Sequence, residues 1–136
     1  MHNQILNIFP TFAKKVTKYQ YFQFNTVEEI LKQLAHSNDD WCKSLVKLLQ
    51  TKSPTSLKIT LRELRNGAKL NFDECMKMEY RIVNRILLAH DFYEGVRAVV
   101  IDKDNQPQWN PKELAAVDNS LIDNYFMPLE EELRFN

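Results

Sequence analysis

The sequence predicts an all-α protein made of several short-to-medium helices, with no substantial sheet. Only two glycines, Gly67 and Gly95, occur among the 136 residues, which argues against tight β-hairpins and glycine-rich phosphate loops. Helix-capping patterns recur along the chain and are followed by apolar residues at helical spacing. The composition, 44% hydrophobic and 26% charged, is typical of soluble globular proteins. Residues 1–136 are therefore predicted to form a single helical domain.

The first helices are predicted from their N-terminal caps. Thr26 and Glu29 have the spacing of a capping box, and an apolar stripe follows them. Asn38 or Asp39 is expected to cap the next helix. Residues 5–24 are predicted to be helical in their middle. They carry several aromatic side chains that we expect to form an exposed apolar surface and to favour self-association: Phe9, Phe12, Phe22 and Phe24.

Two further helices are predicted in the middle of the chain. Ser53-Pro54 is a strong helix start, because proline at the first position gives up an N–H that has no partner there. The inward face of this helix is expected to carry Leu57, Leu61, Leu64 and Ala68, and Gly67 is expected to be its left-handed terminator. A cap at Asn71 then begins a helix to about His90. Two adjacent apolar stripes predict that it is buried between neighbours: Cys75, Met78, Ile82, Ile86 and Ala89, then Met76, Tyr80, Val83 and Leu87.

The last third of the chain is predicted to be helical with interruptions. Asp91 is expected to be an N-cap that follows the last turn of the preceding helix at His90. The side chains expected to point inward from the new helix are Phe92, Val96 and Val99. Residues 105–111 form a predicted turn, and residues 110–113 open a short helix. The tail, residues 121–135, is interpreted as one or two short helical turns around Pro128.

Charge is distributed unevenly although the net charge is zero. Residues 43–69 hold seven basic residues and one acidic residue, whereas residues 71–136 hold thirteen acidic and seven basic residues. One basic stripe consists of Lys58, Arg62, Arg65 and Lys69. It would suit a phosphate or an acidic partner, but a solvated face of an amphipathic helix is the favoured explanation. No nucleic-acid reader motif, membrane-spanning apolar run or secretory signal is visible in the sequence.

Few residues suggest catalytic or metal chemistry. His90-Asp91 is the one His–carboxylate neighbour pair, but no serine or cysteine has an obvious role as its nucleophile, which favours a structural interpretation. No metal site is predicted, because the three histidines lack metal-ligand spacing. Cys42 and Cys75 are interpreted as buried reduced thiols.

Several sequence blocks, in order and with similar gaps, resemble 3-hydroxyisobutyryl-CoA hydrolases, a branch of the crotonase (enoyl-CoA hydratase/isomerase) superfamily. The resemblance extends from about Asn25 to the C-terminus. Its strongest blocks are residues 53–62, residues 78–81 and the run from His90 to Trp109. The similarity implies that the chain is the C-terminal helical module of a crotonase-like enzyme and begins after the catalytic ββα spiral core of that family has ended.

The resemblance also implies a function for the whole protein. That function is hydrolysis of the thioester 3-hydroxyisobutyryl-CoA in mitochondrial valine breakdown, with the module covering the upstream core and contributing to coenzyme enclosure or homo-oligomer contacts. No catalytic residue is assigned to this chain, and no cofactor is expected. The coenzyme-binding residues expected are Lys103 and Arg97, although Asp102 and Asp104 replace the run of bases that crotonase-like enzymes carry after this helix. The alternative is a non-catalytic structural homologue, such as a mitochondrial ribosomal component.

Overall fold

The computed structural model describes residues 18–135, and every regular element within them is helical. This confirms the all-α prediction. The described residues fall into two compact units, 18–48 and 49–135, and the assignment of one domain to residues 1–136 stays a prediction. Within the described part of the chain, no helix has the length and apolar character needed to cross a bilayer.

The first unit begins with a 3₁₀ turn at Gln20–Phe22. Helix α1 spans Val27–Ala35, and its capping box pairs Thr26 with Glu29 as predicted. Helix α2 spans Asp40–Gln50, and the side chain of Asp39 accepts a hydrogen bond from Trp41 N at 2.8 Å. Most of residues 5–24 lie outside the described residues, so the aromatic surface expected there stays a prediction.

The second unit contains four more α-helices. Helix α3 spans Pro54–Gly67, with Ser53 as N-cap, and α4 spans Phe72–Ile86, with the predicted capping box at Asn71. Helix α5 spans His90–Val96 and continues as a π-helical turn at Arg97–Ile101. A 3₁₀ turn at Leu114–Ala116 precedes α6, which spans Asn119–Phe126. The tail is therefore helical only before Pro128.

The core of the second unit lies between α3, α4 and α6 and consists of Ile59, Met78, Ile82, Val117, Ile122 and Tyr125. The first stripe predicted on α4 is confirmed, since Met78 and Ile82 are buried. The predicted inward face of α3 is wrong at Leu64, which is 68% exposed, and at Ala68, which is also exposed, whereas Leu57 and Leu61 are half-buried. The fully buried apolar residue of this helix is Ile59. The second stripe of α4 is also wrong at Val83 and Leu87, which are exposed.

Three predicted helix boundaries are wrong. Gly67 ends α3 without a left-handed conformation, because Ala68 closes the helix with right-handed angles and an N–H bond to Leu64 O. Helix α4 ends at Ile86, and α5 already begins at His90 with Ala89 in the capping position. No helix opens at residues 110–113, where the next helical residues are those of the 3₁₀ turn.

The predicted inward face of α5 is wrong at Phe92 and Val99, while Val96 is half-buried. The π-helical turn accounts for Val99, which lies within it. A π turn adds a residue to the helical repeat, so the side chains after it rotate away from the positions that α-helical spacing predicts. Ala98 is fully buried, while Val99, Val100 and Ile101 are 59%, 62% and 69% exposed. Phe92, also expected to point inward, is 40% exposed.

Candidate functional site

The C-terminal end of α5 holds a charged cluster built around one arginine, here called the Arg97 cluster: Arg97, Glu94, Asp102 and Asp104. Arg97 meets both oxygens of Glu94, from Nε at 2.9 Å and from Nη2 at 2.8 Å. Its Nη1 donates to Asp102 and to Asp104, each at 2.7 Å. Nη2 also donates to Gln106 O at 3.2 Å. A guanidinium has five N–H donors, and these contacts use all five.

The two carboxylates of the cluster that also bind backbone amides are strongly acidic. Glu94 accepts from Gln108 N at 2.6 Å, and hydrogen bonds from Arg97 and from that amide lower the pKa of Glu94 to about 2. Asp104 accepts from Gln106 N at 2.8 Å, and Arg97 together with that amide lowers the pKa of Asp104. Both groups are therefore ionised at neutral pH and hold the cluster together.

The cluster fixes the segment of residues 102–108, here called the 102–108 loop, in an unusual backbone conformation. Lys103 has φ 58° and Asn105 has φ 56°, values that side chains other than glycine rarely adopt. For a lysine this conformation costs about 1–2 kcal/mol relative to a right-handed one, whereas asparagine adopts it more readily. The five donors of Arg97 and the amides of Gln106 and Gln108 supply the contacts that hold this conformation.

The structure brings the two predicted coenzyme-binding residues into the same loop but gives them different surroundings. The guanidinium of Arg97 is fully engaged by carboxylates and a carbonyl of the chain. Lys103 is the second residue of the loop and is exposed, and its ammonium forms no ion pair within residues 18–135. Coenzyme binding by these two residues stays a prediction.

A second anchor holds the chain just after this loop. Trp109 donates from Nε1 to Thr51 O at 3.0 Å, and its ring lies over Gly95, where an added Cβ would come within 3.4 Å of Trp109 Cη2. A side chain at position 95 would therefore be in direct contact with the indole. Asn110 N donates to Asp91 Oδ1 at 2.8 Å, so two successive residues fix the chain on the C-terminal side of the 102–108 loop.

Asp91 has a structural role that the sequence did not predict. Its carboxylate accepts a hydrogen bond from Ser53 Oγ at the start of α3, in addition to the bond from Asn110. His90 Nδ1 lies 3.1 Å from Asp91 Oδ1. Asp91 thus joins α3, α5 and the segment after the 102–108 loop, although it is not the predicted N-cap. These contacts support the structural interpretation of His90-Asp91.

A cavity of about 400 Å³ lies beside Asp91. Its walls are mainly apolar, with the hydroxyl groups of Ser53 and Thr55 and the side chain of Asp91 as polar groups among them. The Thr55 hydroxyl is buried without a hydrogen-bond partner among the described residues. Because that oxygen is itself shielded from solvent, the cavity does not display it to a ligand.

Two residues of the basic stripe on α3 contact the C-terminal segment of the chain. Lys58 donates to Val117 O at 3.0 Å, and Arg62 pairs with Asp123 of α6 while its guanidinium lies 5.1 Å from the centre of the Phe126 ring. Two of the four bases therefore tie α3 to the C-terminal segment. Cys42 is buried, Cys75 is half-buried, and both are free thiols.

The comparisons with known proteins agree with this arrangement of helices. The family described as enoyl-CoA hydratase/isomerase matches residues 9–126. The chain belongs to the enoyl-CoA hydratase/isomerase family. The resemblance to 3-hydroxyisobutyryl-CoA hydrolases is confirmed by relatives of that name. The mitochondrial protein of Gallus gallus is 44% identical over 108 residues, and that of Homo sapiens is 43% identical over 115 residues.

These relatives are much longer than this chain. The matched region is 79% of this chain and 28% of the Gallus gallus protein, and 84% and 30% for the Homo sapiens protein. A carnitinyl-CoA dehydratase structure from Mycobacterium thermoresistibile matches with a TM-score of 0.80 at 32% identity, over 85% of this chain and 33% of that one. An enoyl-CoA hydratase from Rhodobacter sphaeroides also gives 0.80, at 29% identity over 93% and 37% of the two chains.

Proposed function

We propose that this chain is the C-terminal helical part of an acyl-CoA thioester hydrolase that acts on 3-hydroxyisobutyryl-CoA in mitochondria. The observation that carries the proposal is the identity of 43–44% to relatives with that name over about four-fifths of the chain. The shared fold with enoyl-CoA hydratases supports a coenzyme A thioester as substrate class. The mitochondrial location follows the names of the same relatives.

We assign the chemical step to the remainder of the parent protein and a covering role to this chain. Stabilising a thioester oxyanion requires two preorganised hydrogen-bond donors aimed at one point. In the Arg97 cluster, the donors of the arginine are instead hydrogen-bonded to the carboxylates of the cluster. The surface suited to contact the rest of the protein includes the consecutive residues Val99, Val100 and Ile101, which are all exposed. Contiguous exposed apolar side chains of this kind mark interaction sites. The same surface would serve for subunit contacts.

Within this function, Lys103 is the proposed contact for a phosphate of coenzyme A. It is an exposed cation on a loop whose backbone is held by the bonds of Arg97 and by the amide of Gln108, so the loop backbone need not reorder when Lys103 binds. A phosphate that used Arg97 would have to displace one of the carboxylates that already occupy its donors. Arg97 is therefore the weaker of the two predicted contacts.

The proposal is tested by measuring thiol release from 3-hydroxyisobutyryl-CoA with two proteins, the full-length parent and this chain alone. We expect turnover with the parent and none with the chain, because the proposal places the oxyanion donors and the core carboxylates in the remainder of the parent protein. Acetyl-CoA serves as a control for unspecific thioester cleavage. An inactive, correctly folded parent would contradict the proposed hydrolase activity and favour a structural homologue. Turnover by the chain alone would contradict the assignment of the chemical step to the remainder of the parent protein.

A further inference from the structure

A second cavity, of about 480 Å³, lies between the C-terminal end of α3, the middle of α4 and the last residue of α6. Its apolar wall is formed by Leu70, Met78 and Phe126. Met78 belongs to the buried core of the second unit, and the other two residues pack against that core. Sites for small molecules typically measure about 300–1,000 Å³, so the cavity has room for a small organic molecule whose apolar part contacts this wall.

Three basic residues line the same cavity: Lys69, Lys77 and Arg81. Neither lysine forms an ion pair with a residue that the structure describes. Arg81 binds Glu132 through Nε and Nη2. Its Nη1 has no acceptor among residues 18–135, so one edge of the guanidinium, Nη1 with the second N–H of Nη2, remains available. The cavity therefore combines an apolar wall with cationic donors that lack an internal partner.

The acidic residues at the cavity are already hydrogen-bonded. Glu74, the carboxylate in its lining, accepts from Asn71 N at 3.1 Å as part of the capping box of α4. Glu132 accepts from Arg81 and from Leu129 N. Three basic groups therefore face two acidic ones, and the charge balance at the cavity is positive. This distribution favours an anionic ligand over a cationic one.

We propose that this cavity binds a small amphipathic carboxylate, an organic acid with one carboxylate and one alkyl or aromatic body. The available edge of Arg81 and the ammonium of Lys77 bind the carboxylate, Lys69 adds a further positive charge, and the body of the ligand lies against the apolar wall. Arginine suits this role because the planar fork of a guanidinium matches the two oxygens of a carboxylate.

The same comparison excludes the Arg97 cluster as such a site. All five N–H donors of Arg97 are occupied by groups of the chain, whereas Glu132 occupies only one edge of Arg81. The carboxylate site is therefore assigned to the arginine that retains free donors beside an apolar wall. This inference goes beyond the proposed function and does not depend on it.

The experiment titrates the full-length parent protein with octanoate, a carboxylate with an alkyl body, and follows carbon-13-labelled methionine methyl groups by NMR. We expect a saturable shift of the Met78 methyl resonance, because this side chain lines the cavity, and none of the Met76 methyl resonance, which serves as the internal control. Met78→Leu identifies the resonance. Octan-1-ol has the chain without the charge, and acetate has the charge without the chain, so neither should cause a saturable shift at the same concentrations.

Substitutions test the basic groups. Lys77→Gln should weaken octanoate binding roughly 5-fold, the size of one partly screened charge contact, and Lys69→Gln/Lys77→Gln should weaken it further. Lys112→Gln is the matched control, since Lys112 is an exposed lysine that does not line the cavity, and it should leave the affinity unchanged. Unaltered resonances of the other methionines in the absence of ligand show that each variant keeps the fold.

Three outcomes would overturn the proposal. A Met78 resonance that does not respond to octanoate would show that the cavity takes no ligand of this class. An equal response to octan-1-ol or to acetate would show that either the charge or the apolar body is not recognised. Equal weakening by Lys77→Gln and Lys112→Gln would show that octanoate responds to overall charge. Because binding is measured and not thioester hydrolysis, each outcome is independent of whether the parent is a hydrolase.

Discussion

Two arginines hold segments without regular secondary structure, and they do so with different surroundings. Arg97 shares its donors among three carboxylates and a carbonyl. Arg81 of α4 meets a single carboxylate in the tail, with Nε and Nη2 donating to Glu132 at 2.8–2.9 Å. Glu132 in turn accepts from Leu129 N at 2.6 Å, as Glu94 does from Gln108 N.

The difference shows what additional carboxylates contribute. The bidentate pair of Arg81 with Glu132 holds the tail together with a bond from Arg85 Nη2 to Pro128 O at 3.1 Å. Hydrogen bonds from Arg81 and Leu129 N lower the pKa of Glu132 to about 2. Hydrogen bonds of the same kind lower the pKa of Glu94 to about 2. The two aspartates of the Arg97 cluster are therefore not needed for a strong pair, and their contribution is to the shape and charge of the 102–108 loop.

The largest expected effect on stability comes from removing the second anchor, the Trp109 side chain. The tail has no aromatic side chain in an equivalent role. Trp109→Ala deletes the ring over Gly95 and the bond to Thr51 O, and should lower the free energy of unfolding by about 2 kcal/mol, less than the cost at a fully buried tryptophan. Trp109→Phe is the matched control and should cost about 1 kcal/mol, because it keeps a ring and loses one hydrogen bond. Denaturant unfolding followed by circular dichroism measures both, and equal losses would show that ring packing contributes nothing.

An intermediate effect is expected on acidification, where the two regions should behave alike. The folded-state pKa of Glu94 and of Glu132 is about 2, below the ordinary value of 4.5. A depressed pKa contributes stability that is present above the ordinary value and is lost as the pH falls towards the folded value. Unfolding free energy should therefore decrease between pH 4.5 and 2, and the decrease should become shallower in Glu94→Gln and in Glu132→Gln. A slope unchanged by either variant would contradict the pairing in that region.

The smallest effect on the free energy of unfolding is expected at Glu63, which lies near a second carboxylate, Glu79, and has no arginine partner among the described residues. Burial, with the nearby charge of Glu79 as second cause, raises the pKa of Glu63. A raised pKa means that stability falls as the pH rises through the interval between the ordinary and the folded value. Glu63→Gln should stabilise the protein at neutral pH by about 0.3 kcal/mol, the size of a like-charge pair on an exposed helix. Glu130→Gln in the exposed tail is the control, and a loss of stability in Glu63→Gln would contradict the prediction.

Much of the fold follows from local sequence signals. The capping boxes at Thr26 and Asn71 and the start at Ser53-Pro54 place three helices to the residue, because their side-chain bonds involve residues at most three positions apart. The apolar stripe of Met78 and Ile82 likewise identifies the core face of α4. These features depend on helical periodicity alone, which a sequence displays directly.

The candidate site depends on contacts that the sequence does not display in this way. Glu94 and Arg97 are three residues apart and form an i, i+3 pair that spacing could have revealed. The bonds from Arg97 to Asp102 and Asp104 require a π turn and two left-handed residues, and no propensity predicts these at Lys103. Ser53 and Asp91 are 38 positions apart in the sequence, so their bond follows only from the tertiary packing of α3 against α5.

The π turn at Arg97–Ile101 has a consequence for how this helix varies among relatives. A π turn is equivalent to an α-helix that has gained one residue, and losing that residue would restore the α-helical repeat. Val99 would then rotate about the helix axis. The Asp102 N–H bonds to Arg97 O across the turn at 2.8 Å. With one residue fewer, the spacing between Arg97 and Asp102 would no longer suit their pairing. A one-residue gap in this part of a sequence comparison should therefore coincide with replacement of Arg97 or of its aspartates, so that the insertion and the charge cluster are inherited as one unit.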